Sequence, residues 1–98
     1  MRAIRLAATG GPDVLELVEL PDPHPGPGQI LVRQVAIGVN YIDTYHRSGL
    51  YPLKLPSGLG MEGAGEVLAV GEGVDRFAPG DQVAFAAGPI GADADRHL

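Results

Sequence analysis

Apolar residues along this chain occur in short runs that glycine and proline separate, a pattern typical of strands joined by turns. Residues 1–8 and 14–20 alternate imperfectly between apolar and polar positions, and the segment GGPD between them consists of turn formers. These two runs predict a hairpin-like pair of strands. Residues 29–39 are rich in isoleucine and valine and predict the strongest strand of the chain.

In the rest of the chain, glycine and proline again separate the apolar runs. Residues 62–70 and 82–87 predict two further strands, with the turn sequences GEGVD and PGD between them. The segment PDPHPGPG, residues 21–28, predicts a rigid surface connection, because proline has no backbone N–H for a regular ladder. We therefore expect a mainly β protein of about six strands, closed or half closed as a barrel.

One short helix interrupts this β pattern. Asn40 is a good N-cap residue, and Asp43 follows three positions later, near the positive end of the helix dipole. Gly49 is the usual residue type for ending a helix. The pattern predicts a helix over residues 41–48.

All three tyrosines of the chain stand between residues 41 and 51. Tyr41 and Tyr45 are four positions apart and share a helix face, as do Asp43 and Arg47, which predict a surface ion pair of little energetic weight. Two interpretations of the tyrosines stay open: they fill a gap in the core, or they line a binding place. For Tyr41 alone, core packing is favoured, because aromatic residues at helical spacing usually belong to a core.

Composition narrows the function classes. The 98 residues suit one small domain, and the net charge of −5 without a basic cluster argues against nucleic acid or an anionic membrane as partner. The absence of cysteine excludes disulfides and thiolate zinc sites, and it permits a reducing compartment. No apolar run reaches the roughly 20 residues of a membrane helix, and we predict no signal peptide.

Two motifs invite a functional interpretation that their context does not support. GLGMEG, residues 58–63, matches the letters of a dinucleotide-binding loop, but a strand-like run follows it where that loop requires a helix. Its glycines instead predict a tight bend and close strand packing. His24, His46 and His97 are far apart and lack the spacing of a metal-ligand set, so we predict no metal site.

Three motifs in order resemble a known family. Residues 40–51 fit the pattern N-[FY]-I-D-x-Y-x-R-x-G-x-Y, residues 60–65 fit G-x-E-x-x-G, and GDQV at residues 80–83 leads into a strand. Together they resemble the N-terminal catalytic domain of the zinc-independent, zeta-crystallin-like quinone oxidoreductases of the medium-chain dehydrogenase/reductase superfamily. The resemblance covers nearly the whole chain and implies a GroES-like fold, a partly open β-barrel with one short helix.

The resemblance also implies a site without zinc. Zinc-bearing relatives place a cysteine and the histidine of a Gly-His-Glu turn at the positions that Asn40 and Met61 occupy here. An amide and a thioether do not replace a thiolate and an imidazole as Zn²⁺ ligands. The resemblance thus implies that the hollow left by the metal accepts a flat, electron-accepting substrate.

The residues with implied roles fall in one segment. The resemblance makes Asn40, Tyr45 and Tyr51 the catalytic residues, which face the substrate and donate hydrogen bonds to a quinone oxygen. It places the segment from Asn40 to Tyr45 against the nicotinamide end of NADPH, which gives the cofactor-binding set Asn40, Tyr41, Ile42, Asp43, Thr44 and Tyr45. Glu62 is expected to be a structural strut. Asp93 departs from the family pattern, where an aromatic residue is usual, and this puts the packing of the last residues in question.

The implied function is hydride transfer from NADPH to a quinone or a related electrophilic carbonyl, in the cytoplasm. We expect residues 1–98 to form an incomplete catalytic domain with negligible activity alone, because a Rossmann domain would hold the cofactor and form the homodimer contact of family members. The alternatives are a non-catalytic GroES-like module that binds a protein partner or forms a ring, and a pseudoenzyme or crystallin-like structural protein.

Overall fold

The computed structural model describes all residues, 1–98, and the fold is mainly β, as predicted. The long elements match the sequence pattern closely, and two strands of two residues each were not predicted. In chain order the elements are β1 (Arg2–Leu6), a short 3-10 helix (Pro12–Val14), β2 (Leu15–Glu19), β3 (Ile30–Gly38), α1 (Tyr41–Ser48), β4 (Ser57–Gly58), β5 (Glu62–Val70), β6 (Gln82–Phe85) and β7 (Arg96–His97).

The strands form two antiparallel sheets. One sheet has the order β2-β1-β4 and the other has the order β6-β5-β3-β7. The predicted pairing of the first two strands is confirmed, with Ala3 opposite Val18. The GroES-like fold is confirmed in its open form: the sheets are not closed into a barrel, and an isolated bridge between Ala3 and Ala94 connects the first sheet to the segment that leads into β7.

The core lies between the two sheets and is built from small and aliphatic side chains. Leu6 and Val67 are the largest fully buried residues, one from each sheet. The other buried apolar residues are Ala3, Leu31, Val32, Leu59, Ala92 and Ala94. Because three of these six are alanines, much of the core is made of small side chains.

The GLGMEG segment forms a bend between two strands, as predicted. Gly60 has φ +95°, a left-handed conformation that favours glycine, and β5 follows from Glu62. The carbonyl oxygen of Gly60 accepts the N–H groups of Gly91 at 3.0 Å and Ala92 at 3.2 Å. The bend therefore anchors the end of the chain, and no helix opens at this point to hold a pyrophosphate.

Candidate functional site

Helix α1 has the bounds that its caps predicted. The backbone N–H of Asn40 donates to the Asp43 carboxylate at 2.9 Å, and the N–H of Asp43 donates to the Asn40 carbonyl at 3.0 Å. At the other end, Gly49 takes φ +88° and its N–H reaches the carbonyls of Tyr45 and His46. Local capping chemistry thus fixes where this helix begins and ends.

The helix buries its polar side and exposes its aromatic side. Asp43 is only 4% exposed and His46 only 8%, whereas Tyr41 is 76% exposed. The favoured interpretation of Tyr41 as a core residue is therefore wrong. A helix normally turns its apolar stripe to the core, so this inverted orientation needs a reason other than hydrophobic burial.

The predicted ion pair between Asp43 and Arg47 is also wrong. Asp43 points to the interior and binds the N–H of Asn40, while the Arg47 Nε donates to the carbonyl of Gly10 at 3.2 Å. The N–H of Gly10 donates back to the carbonyl of Arg47 at 2.9 Å. This reciprocal contact ties the end of α1 to the connection between β1 and β2, which sets the direction of the helix.

The three tyrosines, which we term the tyrosine cluster, meet edge to face. The ring centroids of Tyr41 and Tyr45 are 5.3 Å apart, and those of Tyr45 and Tyr51 are 5.2 Å apart. The N–H of Tyr51 donates to the Tyr45 carbonyl at 3.2 Å, so the chain after the helix folds back and brings Tyr51 beside it. None of the three hydroxyls makes a hydrogen bond within the chain, which leaves all three free to bind a ligand.

The other residues of the predicted site surround this cluster without closing a cleft over it. Asn40 lies at the first turn of α1, and its side-chain amide N–H groups donate to no atom of the chain. Thr44 Oγ1 donates to the Tyr41 carbonyl at 2.6 Å, and Ile42 is partly buried. The five main cavities of the domain are lined by other residues. The site in this chain is an open surface.

Sequence reasoning did not foresee the perturbed acid Asp93, which lies against the Gly60 bend. Asp93 is partly buried, and this burial, followed by repulsion from the charge of Asp43, raises the pKa of Asp93 to about 6. Its Oδ1 and the Oδ1 of Asp43 are both buried without a hydrogen-bond partner. The available signal was a lone acidic residue inside the apolar run GPIGADA.

Asp93 does not prevent the last residues from packing. The segment that contains it is docked, since the Ile4 N–H donates to the Asp93 carbonyl at 2.8 Å and the Asp93 N–H donates to the Leu59 carbonyl at 2.8 Å. His97 in β7 stacks on Phe85 with centroids 5.1 Å apart. Burial lowers the pKa of His97, although the carbonyls of Pro89 and Gly91 oppose that shift.

The remaining polar residues show no metal-ligand constellation. No three His, Cys, Asp or Glu side chains lie together in a way that could hold a metal ion. Glu62 stands opposite Gly38 in the sheet and lies over it, in the space that a Cβ on Gly38 would occupy. This contact agrees with a structural role for Glu62. No helix of the chain has both the length and the apolar character to cross a membrane.

A domain of two open antiparallel sheets, with a single helix that presents aromatic residues, defines the class. The chain belongs to the alcohol dehydrogenase GroES-like domain family, whose sequence pattern matches residues 26–96. This confirms the resemblance to the medium-chain dehydrogenase/reductase superfamily and the GroES-like fold.

Characterised relatives agree on the branch of the family. The chain is 57% identical to a quinone oxidoreductase of Pseudomonas aeruginosa, over 99% of this chain and 30% of that protein. It is 43% identical to a 2-haloacrylate reductase of a Burkholderia species, over 91% of this chain and 28% of that protein. The crystal structure of Escherichia coli quinone oxidoreductase complexed with NADPH matches with a TM-score of 0.97 and 47% identity, over 99% of this chain and 30% of that one. The chain thus spans about a third of the length of these relatives.

Proposed function

We propose that this chain provides the substrate-facing surface of an oxidoreductase that transfers a hydride from NADPH to a quinone or a related electrophilic carbonyl, without zinc. The observation that carries the proposal is the tyrosine cluster. Tyr41 and Tyr51 are exposed, Tyr45 is partly exposed and the hydroxyls are unpaired, while Asp43 and His46 of the same helix are buried. The names of the relatives support the reaction class.

The cluster suits a flat acceptor with carbonyl oxygens. Aromatic rings pack on a planar quinone, and hydroxyl or amide N–H donors stabilise an oxygen that becomes negative as the ring is reduced. Tyr45 and Tyr51, whose ring centroids are 5.2 Å apart, offer free hydroxyls, and Asn40 offers free side-chain N–H donors at the start of the helix. In this proposal these three residues bind and orient the acceptor, and the exposed face of Tyr41 contacts the nicotinamide end of the cofactor.

The donor set fits the cofactor and substrate better than it fits a metal. NADPH, when bound, supplies the hydride, and the segment from Asn40 to Tyr45 would lie against its nicotinamide ring. The positions that would hold zinc ligands carry Asn40 and Met61, which are poor ligands for Zn²⁺. Because the solved relative in complex with NADPH is about three times as long, we propose that a second, dinucleotide-binding domain holds most of the cofactor.

Further parts of the proposal rest on the family resemblance. The active species is proposed to be a homodimer that assembles through the dinucleotide-binding domain and works in the cytoplasm. Residues 1–98 alone are expected to reduce quinones at a negligible rate, because hydride transfer needs donor and acceptor held in contact.

A nuclear magnetic resonance titration of the purified 98-residue chain with 1,4-naphthoquinone tests the surface directly. We expect saturable shifts of amide signals confined to residues 40–51, since a hydrogen-bonded planar ligand perturbs the residues it contacts. Tyr45→Phe and Tyr51→Phe each remove one hydroxyl donor and should weaken binding by about 10-fold, the value of one hydrogen bond in a site of this kind.

Tyr41→Phe is the matched control, because Tyr41 is placed at the cofactor and its hydroxyl is not assigned to the quinone. It should bind naphthoquinone within about twofold of the unaltered chain. Shifts spread over both sheets, or equal losses in all three variants, would contradict the assigned roles. Saturable NADPH-dependent quinone reduction by the 98-residue chain would contradict the need for a second domain.

A further inference from the structure

The segment at residues 91–98, which we term the tail segment, is fastened to three parts of the domain. The Asp93 backbone bonds to Ile4 of β1 and to Leu59 ahead of β5, and Arg96 and His97 pair with β3. The Asp93 side chain lies against Gly60, where a Cβ would overlap its carboxylate. Asp93 is therefore at the point where the tail segment, β1 and the Gly60 bend come together, and it feels the charge of Asp43 in α1.

Asp93 and Asp43 are two acidic side chains without a compensating cation. The charge of Asp43 acts on Asp93, and both Oδ1 atoms are buried and lack a hydrogen-bond partner. The second oxygen of Asp43 is engaged by the N–H of Asn40. Two ionised carboxylates in such surroundings repel each other and lose their hydration, so a protonated form of one of them is favoured.

The surrounding charged groups do not relieve the pair. Arg2, which lines the same groove as Asp93, is bound to Asp95 at 3.3 Å, and Arg47 donates to the Gly10 carbonyl. Glu62, two residues after Gly60, lies over Gly38. His46 shares the buried face of α1 with Asp43, and its Nδ1 has no partner.

We propose that Asp93 is protonated in mildly acidic solution, and that this proton makes the contact between the tail segment and the Gly60 bend a pH-sensitive latch. Loss of the proton places a second negative charge at the pair. The tail segment then loosens from the Gly60 bend, and the disturbance reaches Asn40 through its N–H bond to Asp43.

The direction of the pH effect follows from the shift. The pKa of Asp93 is raised from 3.8 to about 6 in the folded chain, so the folded state holds the proton more tightly than the unfolded one. Its contribution to stability is complete below about pH 3.8 and is lost as the pH rises through about 6. His97 acts in the opposite direction, because its pKa is lowered. The effect of Asp93 on stability is therefore measured as the difference in melting temperature between the unaltered chain and an Asp93 variant, because His97 contributes equally to both.

The test compares melting temperatures of the unaltered chain and Asp93→Asn from pH 4 to pH 8. Asparagine keeps the shape of the protonated acid and cannot ionise. The two proteins should melt within about 2 °C of each other at pH 4, and the variant should melt about 5–10 °C higher above pH 7. Asp75→Asn, which removes an exposed carboxylate, is the control and should show no such divergence.

Two direct measurements keep the proposal testable if a variant folds poorly. The carboxyl carbon signal of Asp93 in the unaltered chain should titrate near pH 6, and the amide signal of Asn40 should move in the same pH range. In Asp43→Asn the Asp93 midpoint should fall, because the repelling charge is gone, and remain above 3.8 because burial persists. A carboxyl midpoint near 4 in the unaltered chain, or melting curves of Asp93→Asn that run parallel to it at all pH values, would overturn the proposal.

Discussion

The two-sheet scaffold and helix α1 bury different kinds of side chain. In the sheets the fully buried residues Leu6 and Val67 are aliphatic, although Leu17 of β2 and Val35 of β3 stay exposed. In the helix, Asp43 and His46 are buried, and Tyr41 and Tyr45 are turned toward solvent or only partly covered. The buried aliphatic residues of the scaffold stabilise the fold. The helix leaves aromatic side chains exposed, and these form a surface that a ligand can contact.

This difference separates residues that hold the fold from residues that are available for binding. An outward tyrosine contributes little to the folding free energy, because its apolar surface stays in water. The buried polar face of the helix lowers the folding stability, because unpartnered groups such as the Asp43 Oδ1 are costly in the interior. Mutations on the two regions should therefore differ in size and in kind.

The largest expected contrast is between Leu6→Ala and Tyr41→Ala. Leu6 is 0% exposed, so its truncation leaves a cavity and should lower the free energy of unfolding by about 2–5 kcal/mol. Tyr41→Ala should change that free energy by less than about 0.5 kcal/mol, because the ring is exposed. Urea unfolding followed by circular dichroism measures both. Equal losses would show that the tyrosine cluster is part of the core after all.

A smaller loss of folding free energy is expected at the C-terminal end of α1, where the helix joins the scaffold. Gly49 ends α1 at φ +88°, and a Cβ there would lie 3.2 Å from Thr9 Cγ2. Gly73 has a similar φ of +82° with nothing within 4 Å. Gly73→Ala should cost about 1 kcal/mol for the left-handed backbone, and Gly49→Ala should cost more because Thr9 must also move. If the two variants unfold at the same urea concentration, the contact between the helix end and Thr9 does not matter for stability.

The smallest expected effect concerns His97, on the scaffold side. Burial lowers its pKa below 6.5, so its contribution to stability is complete above pH 6.5 and is lost as the pH falls through the folded-state value. The unaltered chain should therefore lose stability relative to His97→Gln as the pH is lowered from 7 to 5. The effect is modest because the carbonyls of Pro89 and Gly91 favour the charged ring. Urea midpoints at each pH measure it, and a constant difference between the two proteins would refute it.

Features that depend on near neighbours in the chain could be predicted from the sequence. The bounds of α1 follow from Asn40, Asp43 and Gly49, because caps act within one turn of helix. The long strands and the bend at Gly60 follow from apolar runs and glycines in the same way. Clustering of the tyrosines was also visible, since four-residue spacing on a helix brings side chains together.

Features that depend on distant residues were decided by the tertiary structure. Helical periodicity gives two faces but does not tell which one is buried, and the bonds between Arg47 and Gly10 set that choice here. The two-residue strands β4 and β7 have no periodicity to detect and exist because β1 and β3 offer pairing partners. The pKa of Asp93 depends on Asp43, fifty residues earlier, and on burial that only the folded chain creates.

The sequence by itself therefore determined the elements, the mainly β class and the segment that carries the candidate site. The tertiary structure decided that the sheets stay open, that Tyr41 and Tyr51 are exposed, and that Asp43 and Asp93 each bury an unpartnered carboxylate oxygen. The physical reason is how far along the chain each interaction acts. Capping, turn formation and strand propensity act over a few neighbouring residues. Sheet closure, helix orientation and the desolvation of a charge require parts of the chain that are far apart in sequence to come into contact.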